Sequence, residues 1–160
     1  MKLKVVWFGR PASSPYEDQV ATYRRRVSRR WPADDAALRP GAGGRAGDSQ
    51  RVLRLEAEAI ASHRDRSWPL LVLDERGKAR DSEAFARWLA RFEDNGSPGL
   101  TFVIGSDLGL HADVVAQADH RISLSPMTLP HQLARLVLWE QLFRSTSILA
   151  GGAYHRVCVQ

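Results

Sequence analysis

The sequence predicts an α/β fold in which a mainly parallel sheet carries helices on both faces. Short apolar runs, such as Leu3–Phe8 and Leu100–Ile104, alternate along the chain with longer segments of helical periodicity. The runs are apolar without interruption, which is typical of strands covered on both sides. Because the chain has 160 residues, of which 44% are hydrophobic, we expect one compact domain spanning residues 1–160.

The first half of the chain is predicted to form one strand and two helices. After the strand, apolar residues recur at helical spacing from Tyr16 to Trp31 and predict an amphipathic helix. The glycine-rich residues 40–47 predict a mobile loop, and a second helix is predicted from about Ser49 to His63. The outer side of the first helix indicates either a solvated face or a contact for an anionic partner, because it carries five arginines: Arg24, Arg25, Arg26, Arg29 and Arg30.

The second half continues the alternation of strands and helices. Further apolar runs predict strands at Leu70–Leu73, Leu100–Ile104 and Arg121–Leu124. Helical signals follow each of these strands, and the predicted helices begin at Ser82, at Ala112 and at Pro130.

Three of the predicted strands end in loops that could bind a small molecule. These loops contain Asp74–Gly77, Gly105–Gly109 and Ser125–His131. In parallel α/β sheets, ligands bind beyond the carboxyl ends of the strands. The dinucleotide pattern G-x-G-x-x-G and the P-loop pattern G-x-x-x-x-G-K-[ST] are both absent, which argues against those two kinds of nucleotide site.

The charge and cysteine content narrow the class of protein. Basic residues outnumber acidic ones by 23 to 18, which favours an anionic partner. The single cysteine, Cys158, excludes an intramolecular disulfide, and no cysteine and histidine spacing predicts a metal site. The apolar run Leu3–Phe8 is too short for a signal peptide, and no run is long enough to span a membrane. We therefore expect a cytoplasmic protein without a metal.

The last helix is apolar on more than one side. A central core helix and a subunit interface explain this pattern equally well, and it predicts a homodimer formed through this helix. Glu140 lies on the same helix and needs a partner, for which Arg144, one turn later, is the nearest candidate. The residues that extend the apolar surface are Leu138, Trp139, Leu142 and Phe143.

These segments together resemble a known family, the RlmH methyltransferases of the SPOUT superfamily. The resemblance is carried by Leu129–Arg144, by Gly152–Arg156, by the strand end Leu73-Asp74 and by the loop Ile104-Gly105, in the order that the family shows. It covers essentially the whole chain. Members of the family methylate N3 of a pseudouridine in bacterial 23S ribosomal RNA, within the ribosome.

The resemblance implies a fold and a cofactor that the residue pattern does not. Family members are small homodimers with a C-terminal trefoil knot, and they use S-adenosylmethionine held by the backbone of the knot loops. Where the family usually has a second glycine after Gly105, this chain has Ser106. The residues expected to contact the cofactor are Leu73, Gly105, Leu124, Ser125, Pro126, Met127, Thr128 and Leu129.

The resemblance also suggests residues for catalysis and for binding RNA. His131 and His155 are candidates to accept the proton that leaves N3, with Asp107 as a further titratable group and water as an alternative. His131 could equally serve as a cap or a packing residue, and the tail, Tyr154–Arg156, could be disordered. The residues expected to contact RNA are Arg135, Arg144, Tyr154, His155 and Arg156.

Two other functions remain compatible with the sequence. The chain could be a SPOUT methyltransferase for another RNA, such as a tRNA. It could also be a ribosome-binding factor that has lost cofactor binding. Ser106, in place of the family's second glycine, is the residue that supports this hypothesis.

Overall fold

The structure, a computed structural model, describes residues 1–41 and 48–158 and contains one five-stranded sheet. The strand order is β2-β1-β4-β3-β5, and every pairing is parallel. Most of the predicted loop at 40–47 lies outside the described residues. The strands are β1 (Lys2–Phe8), β2 (Ala33–Leu38), β3 (Leu70–Ala79), β4 (Gly99–Val103) and β5 (His120–Ser123).

In the part of the chain that the structure describes, five α-helices cover the two faces of this sheet, so the predicted α/β architecture is confirmed. Helices α1, α3 and α5 pack together on one face, and α2 and α4 lie on the other. The helices are α1 (Glu17–Val27), α2 (Ser49–His63), α3 (Ser82–Asp94), α4 (Ala112–Ala116) and α5 (His131–Leu149), with short 3₁₀ helices at Pro11–Ser13 and Ala153–Cys158. Within the described residues, no helix is both long and apolar enough to span a membrane.

The alternation of side chains along β1 explains why both faces are covered. Leu3, Val5 and Trp7 enter the core beneath α1, α3 and α5, whereas Val6 and Phe8 enter the core beneath α2. Successive side chains of a strand point to opposite faces, so an uninterrupted apolar strand needs helices on both sides.

Strand β2 was not predicted from the sequence. Its residues, Ala33–Leu38, include two aspartates and three alanines, which are depleted in strands. The strand forms at the edge of the sheet, where it pairs with β1 along its whole length. The predicted first helix is also shorter than expected, because α1 ends at Val27, although Trp31 beyond it is fully buried and donates a hydrogen bond to Glu93.

Helix α5 is the central core helix of its face of the sheet. Leu138, Trp139 and Leu142 have no exposed surface within the single chain. The prediction that these three side chains form a subunit interface is therefore wrong, because the chain's own core already covers them. Phe143 remains partly exposed and packs against Tyr23 of α1.

A buried ion pair fixes α5 against the sheet. The guanidinium of Arg135, which has no exposed surface, donates to Asp35 of β2 at 2.5 and 3.1 Å and to Glu17 of α1 at 2.8 Å. Asp35 also accepts hydrogen bonds from the indole nitrogens of Trp7 and Trp139. A side chain without exposed surface cannot reach RNA, so the prediction that Arg135 contacts the substrate is wrong.

The electrostatics of this cluster keep Arg135 charged. Burial alone would lower the pKa of Arg135, but the hydrogen bonds from its guanidinium to Asp35 and Glu17 raise that pKa above its ordinary value. The guanidinium also lies over the Trp7 ring, 4.0 Å from the ring centroid. Each charge and each indole N–H in the cluster therefore has a partner.

Replacing Asp35 should destabilise the fold strongly. In Asp35→Ala, the Arg135 charge stays buried with only Glu17 as its counterion, and both indoles lose their acceptor. Removing one partner of a buried ion pair costs about 3–5 kcal/mol, so we expect the free energy of unfolding in urea to fall by about that amount. The matched control is Asp34→Ala on the exposed side of β2, which should stay within about 0.5 kcal/mol of wild type. Equal effects of the two substitutions would contradict a central role for the Arg135 cluster.

Candidate functional site

A cleft opens at the carboxyl ends of the three strands β3, β4 and β5. It has a volume of about 840 Å³ and also borders the first turn of α5. Its walls are the segment after Leu73, the turn that begins at Gly105 and the loop 124–130. The parallel sheet thus brings together three loops that are far apart in the sequence, at the edge where the sequence predicted a ligand.

The first wall is a bulge in β3. Leu73 and Lys78 both pair with Ile122 of β5, so the four residues between them form a bulge, and the first three of them line the cleft. Within this bulge, Asp74 forms an ion pair with Arg121 and accepts the backbone N–H of Arg76. Although burial alone would raise the pKa of Asp74, these two partners lower it below its ordinary value. The carboxylate therefore stays charged at the rim of the cleft.

The second wall is the loop between β5 and α5. The hydroxyl of Ser123 donates to the carbonyl of Ser125, and the hydroxyl of Ser125 accepts the backbone N–H of Met127. The hydroxyl of Thr128 reaches across the cleft rim and donates to Glu75 in the β3 bulge, at 2.6 Å. These bonds order the loop internally and tie it to the first wall.

The third wall is a tight turn after β4. The N–H of Gly109 donates to the carbonyl of Ser106 at 2.9 Å, and Gly109 has a φ of +81° that favours glycine. A side chain at Gly105 would lie 2.5 Å from the carbonyl oxygen of Gly109. Gly105 is therefore required by the close approach of its own turn, a reason that the sequence alone did not reveal.

His131 and Asp107 meet at the mouth of the cleft. The Nδ1 atom of the imidazole lies 2.8 Å from a carboxylate oxygen of Asp107. A carboxylate only accepts hydrogen bonds, so Nδ1 carries the proton of this bond and Nε2 of a neutral ring is left as an acceptor. His131 is mostly buried, with 19% of its side chain exposed, whereas 87% of the Asp107 side chain is exposed. The pair places one basic nitrogen at the entrance of the cleft.

The C-terminal segment packs on α5 at a distance from this cleft. Tyr154 donates its hydroxyl to Glu140 at 3.0 Å and lies against Phe143 and beneath the guanidinium of Arg144. Burial, together with hydrogen bonds to Tyr23 and Glu140, raises the pKa of Tyr154 above its ordinary value. Glu140 lies nine residues after the start of α5, which is about 14 Å along the helix axis at 1.5 Å per residue.

The comparisons with known proteins identify the family. A family model described as "Predicted SPOUT methyltransferase" matches residues 1–155 of the chain. The chain belongs to the SPOUT methyltransferase family.

Curated relatives refine this family assignment. A "Ribosomal RNA large subunit methyltransferase H" from Rhizobium rhizogenes is 39% identical over 98% of this chain and 100% of its own length. Proteins with the same name from Acidiphilium cryptum and Syntrophomonas wolfei are 41% and 38% identical and cover 97% and 98% of this chain, with 94% and 100% of their own lengths aligned. The resemblance to the RlmH methyltransferases is thereby confirmed.

Two solved structures with little sequence identity support the fold alone. A probable methyltransferase from Bordetella pertussis aligns with a TM-score of 0.53 at 12% identity, covering 90% of this chain and 95% of its own. A probable methylase family protein from Haemophilus influenzae aligns with the same TM-score of 0.53 at 10% identity, covering 95% of this chain and 69% of its own.

The cleft at the ends of β3, β4 and β5 contains most of the residues predicted to bind the cofactor. Pro126 is exposed and does not line the cleft, and the other seven do: Leu73, Gly105, Leu124, Ser125, Met127, Thr128 and Leu129. His131 lines it as well. Their contacts with a cofactor stay a prediction.

Of the residues predicted for RNA, those whose side chains are described do not line this cleft within one chain. Arg144 pairs with Glu140 on α5, as the sequence predicted. Tyr154 packs beside that pair, and His155 lies 3.5 Å from Glu83 of α3. The side chain of Arg156 lies outside the described residues.

Two acidic residues of the site were missed from the sequence. Glu75 anchors Thr128, and Glu56 of α2 accepts the hydroxyl of Ser106. Glu56 had a detectable signal, since it stands one helical turn from both Val52 and Ile60 on the buried face of α2.

Proposed function

We propose that this protein is an S-adenosylmethionine-dependent methyltransferase of large-subunit ribosomal RNA, acting on N3 of the pseudouridine at position 1915 of 23S RNA. The observation that supports this proposal most strongly is the cleft at the carboxyl ends of β3, β4 and β5. The chain that forms it is about 39% identical, over nearly its whole length, to a relative named for methylation of large-subunit ribosomal RNA. A ribosomal substrate would put the reaction in the cytoplasm.

The cleft has the size and chemistry to hold the methyl donor. Small-molecule sites measure about 300–1,000 Å³ and combine apolar walls with a few polar groups. Leu73, Leu124 and Leu129 supply apolar walls, and the backbone of the Gly105 turn and of the Ser125 loop supplies polar atoms without long side chains. Within the described residues, no cluster of side chains could hold a metal ion.

His131 is the group that handles the proton. S-adenosylmethionine, when bound, supplies a methyl group that is already activated by the sulfonium. Because the leaving group is neutral, the chain mainly has to position the acceptor nitrogen and remove its proton. Asp107 holds the Nδ1–H of His131, which keeps Nε2 available to accept the N3 proton as the new N–C bond forms.

The tail residues Tyr154, His155 and Arg156, together with Arg144 of α5, supply the contacts to RNA. Tyr154 offers a ring for stacking on a base, and Arg144 and Arg156 offer charges for phosphate. In the described chain the Nδ1 atom of His155 is buried with no hydrogen-bond partner, an arrangement that costs free energy and favours a further partner for the tail. The tail of one subunit would contact the cleft of a second subunit, where His155 would be a second proton acceptor. This arrangement accounts for the distance between the tail and the cleft within one chain.

A homodimer through α5 would use a different stripe from the one that the sequence suggested. Leu133, Val137 and Ile148 lie at helical spacing and remain partly exposed. These side chains, rather than Leu138, Trp139 and Leu142, are available for a second copy. The proposal includes the C-terminal trefoil knot that the family resemblance implies for this chain.

The function is tested by the methylation state of ribosomal RNA in a strain that lacks the gene. We expect mass spectrometry to show an unmethylated pseudouridine in 23S RNA, and expression of the wild-type chain to restore the methyl group. Because a general base contributes about 10²–10⁴-fold, His131→Ala should restore it at least about a hundredfold more slowly. The control is His63→Ala at the exposed end of α2, which should restore it fully.

The same strain distinguishes the alternatives. A methyl group missing from tRNA instead of 23S RNA would support a different RNA substrate. Unchanged methylation of both RNAs, together with no heat of S-adenosylmethionine binding, would support a non-catalytic ribosome-binding factor and contradict the proposal.

Removal of the tail should separate RNA handling from donor binding. Truncation after Gly152 leaves the cleft residues intact, so the dissociation constant for S-adenosylmethionine should change by no more than a few-fold. Methylation of ribosomes should fall by about a hundredfold, because misplacing the substrate costs about that much. Tyr154→Phe keeps the ring and loses only the hydrogen bonds of the hydroxyl to Glu140 and Tyr23, so it should retain most activity. Wild-type activity of the truncated chain would remove the tail from the mechanism.

A further inference from the structure

A buried carboxylate lies directly behind the Gly105 turn. Glu56 of α2 is only 3% exposed. One of its oxygens accepts the hydroxyl of Ser106 at 2.8 Å, and the other accepts the backbone N–H of Gly41 at 3.2 Å. Among the described residues, these two neutral donors are its partners, and no ion pair compensates its charge.

A buried carboxylate held by neutral donors is costly unless the geometry is good. An apolar residue at this place on α2 would continue the buried line of Val52 and Ile60 without that cost. The carboxylate must therefore contribute something besides packing. Its two contacts show what it joins: the segment at the start of the β2–α2 loop and the turn that lines the cleft.

The Ser106 hydroxyl has two roles in that turn. It donates to Glu56 and accepts the backbone N–H of Leu108 at 3.3 Å. The carbonyl of the same residue accepts the N–H of Gly109. Ser106 is thus the fixed end of the turn, and Glu56 is the group that holds it from outside the cleft.

The 105–109 turn positions two groups at the proposed reaction site. Asp107, the residue after Ser106, holds His131, and Gly105, the residue before it, is pressed against Gly109. Displacement of Ser106 would therefore move both the wall of the donor cleft and the partner of the imidazole.

We propose that Glu56 is a positioning residue for methyl transfer, which acts through the Ser106 hydroxyl to hold the 105–109 turn in the shape that binds the donor. The inference rests on the proposed function. It also gives a role to Ser106, where the family usually has glycine: the side chain provides the hydroxyl that donates to Glu56.

The first test is hydrogen exchange in the wild-type protein and in Glu56→Gln, without any donor. Glutamine has one accepting oxygen, so it cannot accept from both the Ser106 hydroxyl and the Gly41 N–H as the carboxylate does. Exchange at the amides of Leu108 and Gly109 should become about tenfold faster, as expected for loss of one bond to a charged group. The interior of β4 should keep its protection. Glu58→Gln, on the exposed side of the same helix, is the matched control and should match wild type.

The second test is donor binding measured by calorimetry on the same variants. Glu56→Gln and Ser106→Ala should each weaken S-adenosylmethionine binding by about tenfold, and the double variant should be no weaker than either one. Ser106→Thr retains the hydroxyl and should restore the affinity lost in Ser106→Ala. At a saturating concentration of S-adenosylmethionine, the turnover number of Glu56→Gln should return closer to the wild-type value than the turnover number of His131→Ala.

The outcomes separate this inference from the proposed function. If wild type binds the donor and Glu56→Gln binds it equally well, with unchanged exchange at Leu108 and Gly109, the positioning role is overturned. If the two substitutions weaken binding independently, Glu56 does not act through Ser106 and the inference fails. If wild type binds no donor at all, the proposed function fails, while the exchange experiment still decides whether Glu56 holds the turn.

Discussion

The ion pair between Arg135 and Asp35 is the interaction on which the site depends. It joins α5 to the edge strand β2, and Trp7 and Trp139 donate to the same carboxylate. Arg135 lies one helical turn after His131, so the pair fixes the start of α5 relative to the sheet. Without this ion pair, the imidazole of His131 and the buried apolar face of α5 would not have a defined position relative to the sheet.

Carboxylates also order the walls of the cleft. Glu75 holds Thr128, Asp107 holds His131 and Glu56 holds Ser106. Each contact joins segments that are far apart in the sequence, and together they tie every wall to a neighbour. This arrangement suits methyl transfer, in which the donor is already activated and the protein contributes mainly by positioning. The arginines of α1 remain largely at the surface, where phosphate could meet them.

The parts of the fold that were predictable are those with strong local signals. Strands buried on both faces appear as apolar runs, and α2 and α3 begin at the predicted residues. Strand β2 has no such signal, because its stability comes from pairing with β1 and from the contacts of Asp35. The roles of Arg135 and Glu56 were hidden for a similar reason. Their partners lie 100 and 50 residues away in the chain, and spacing along one helix does not reveal them.

The site itself was predicted on two different grounds. The strand ends indicated a ligand at one edge of the sheet, and the structure confirms that the three loops meet there. The expectation that the donor is S-adenosylmethionine came from the resemblance to the RlmH methyltransferases. Photochemical crosslinking of methyl-labelled S-adenosylmethionine, followed by peptide mapping, tests the link between the two most directly. We expect label in residues 105–110 or 124–131 that excess unlabelled donor removes, and competable label confined to other segments would contradict a donor site in this cleft.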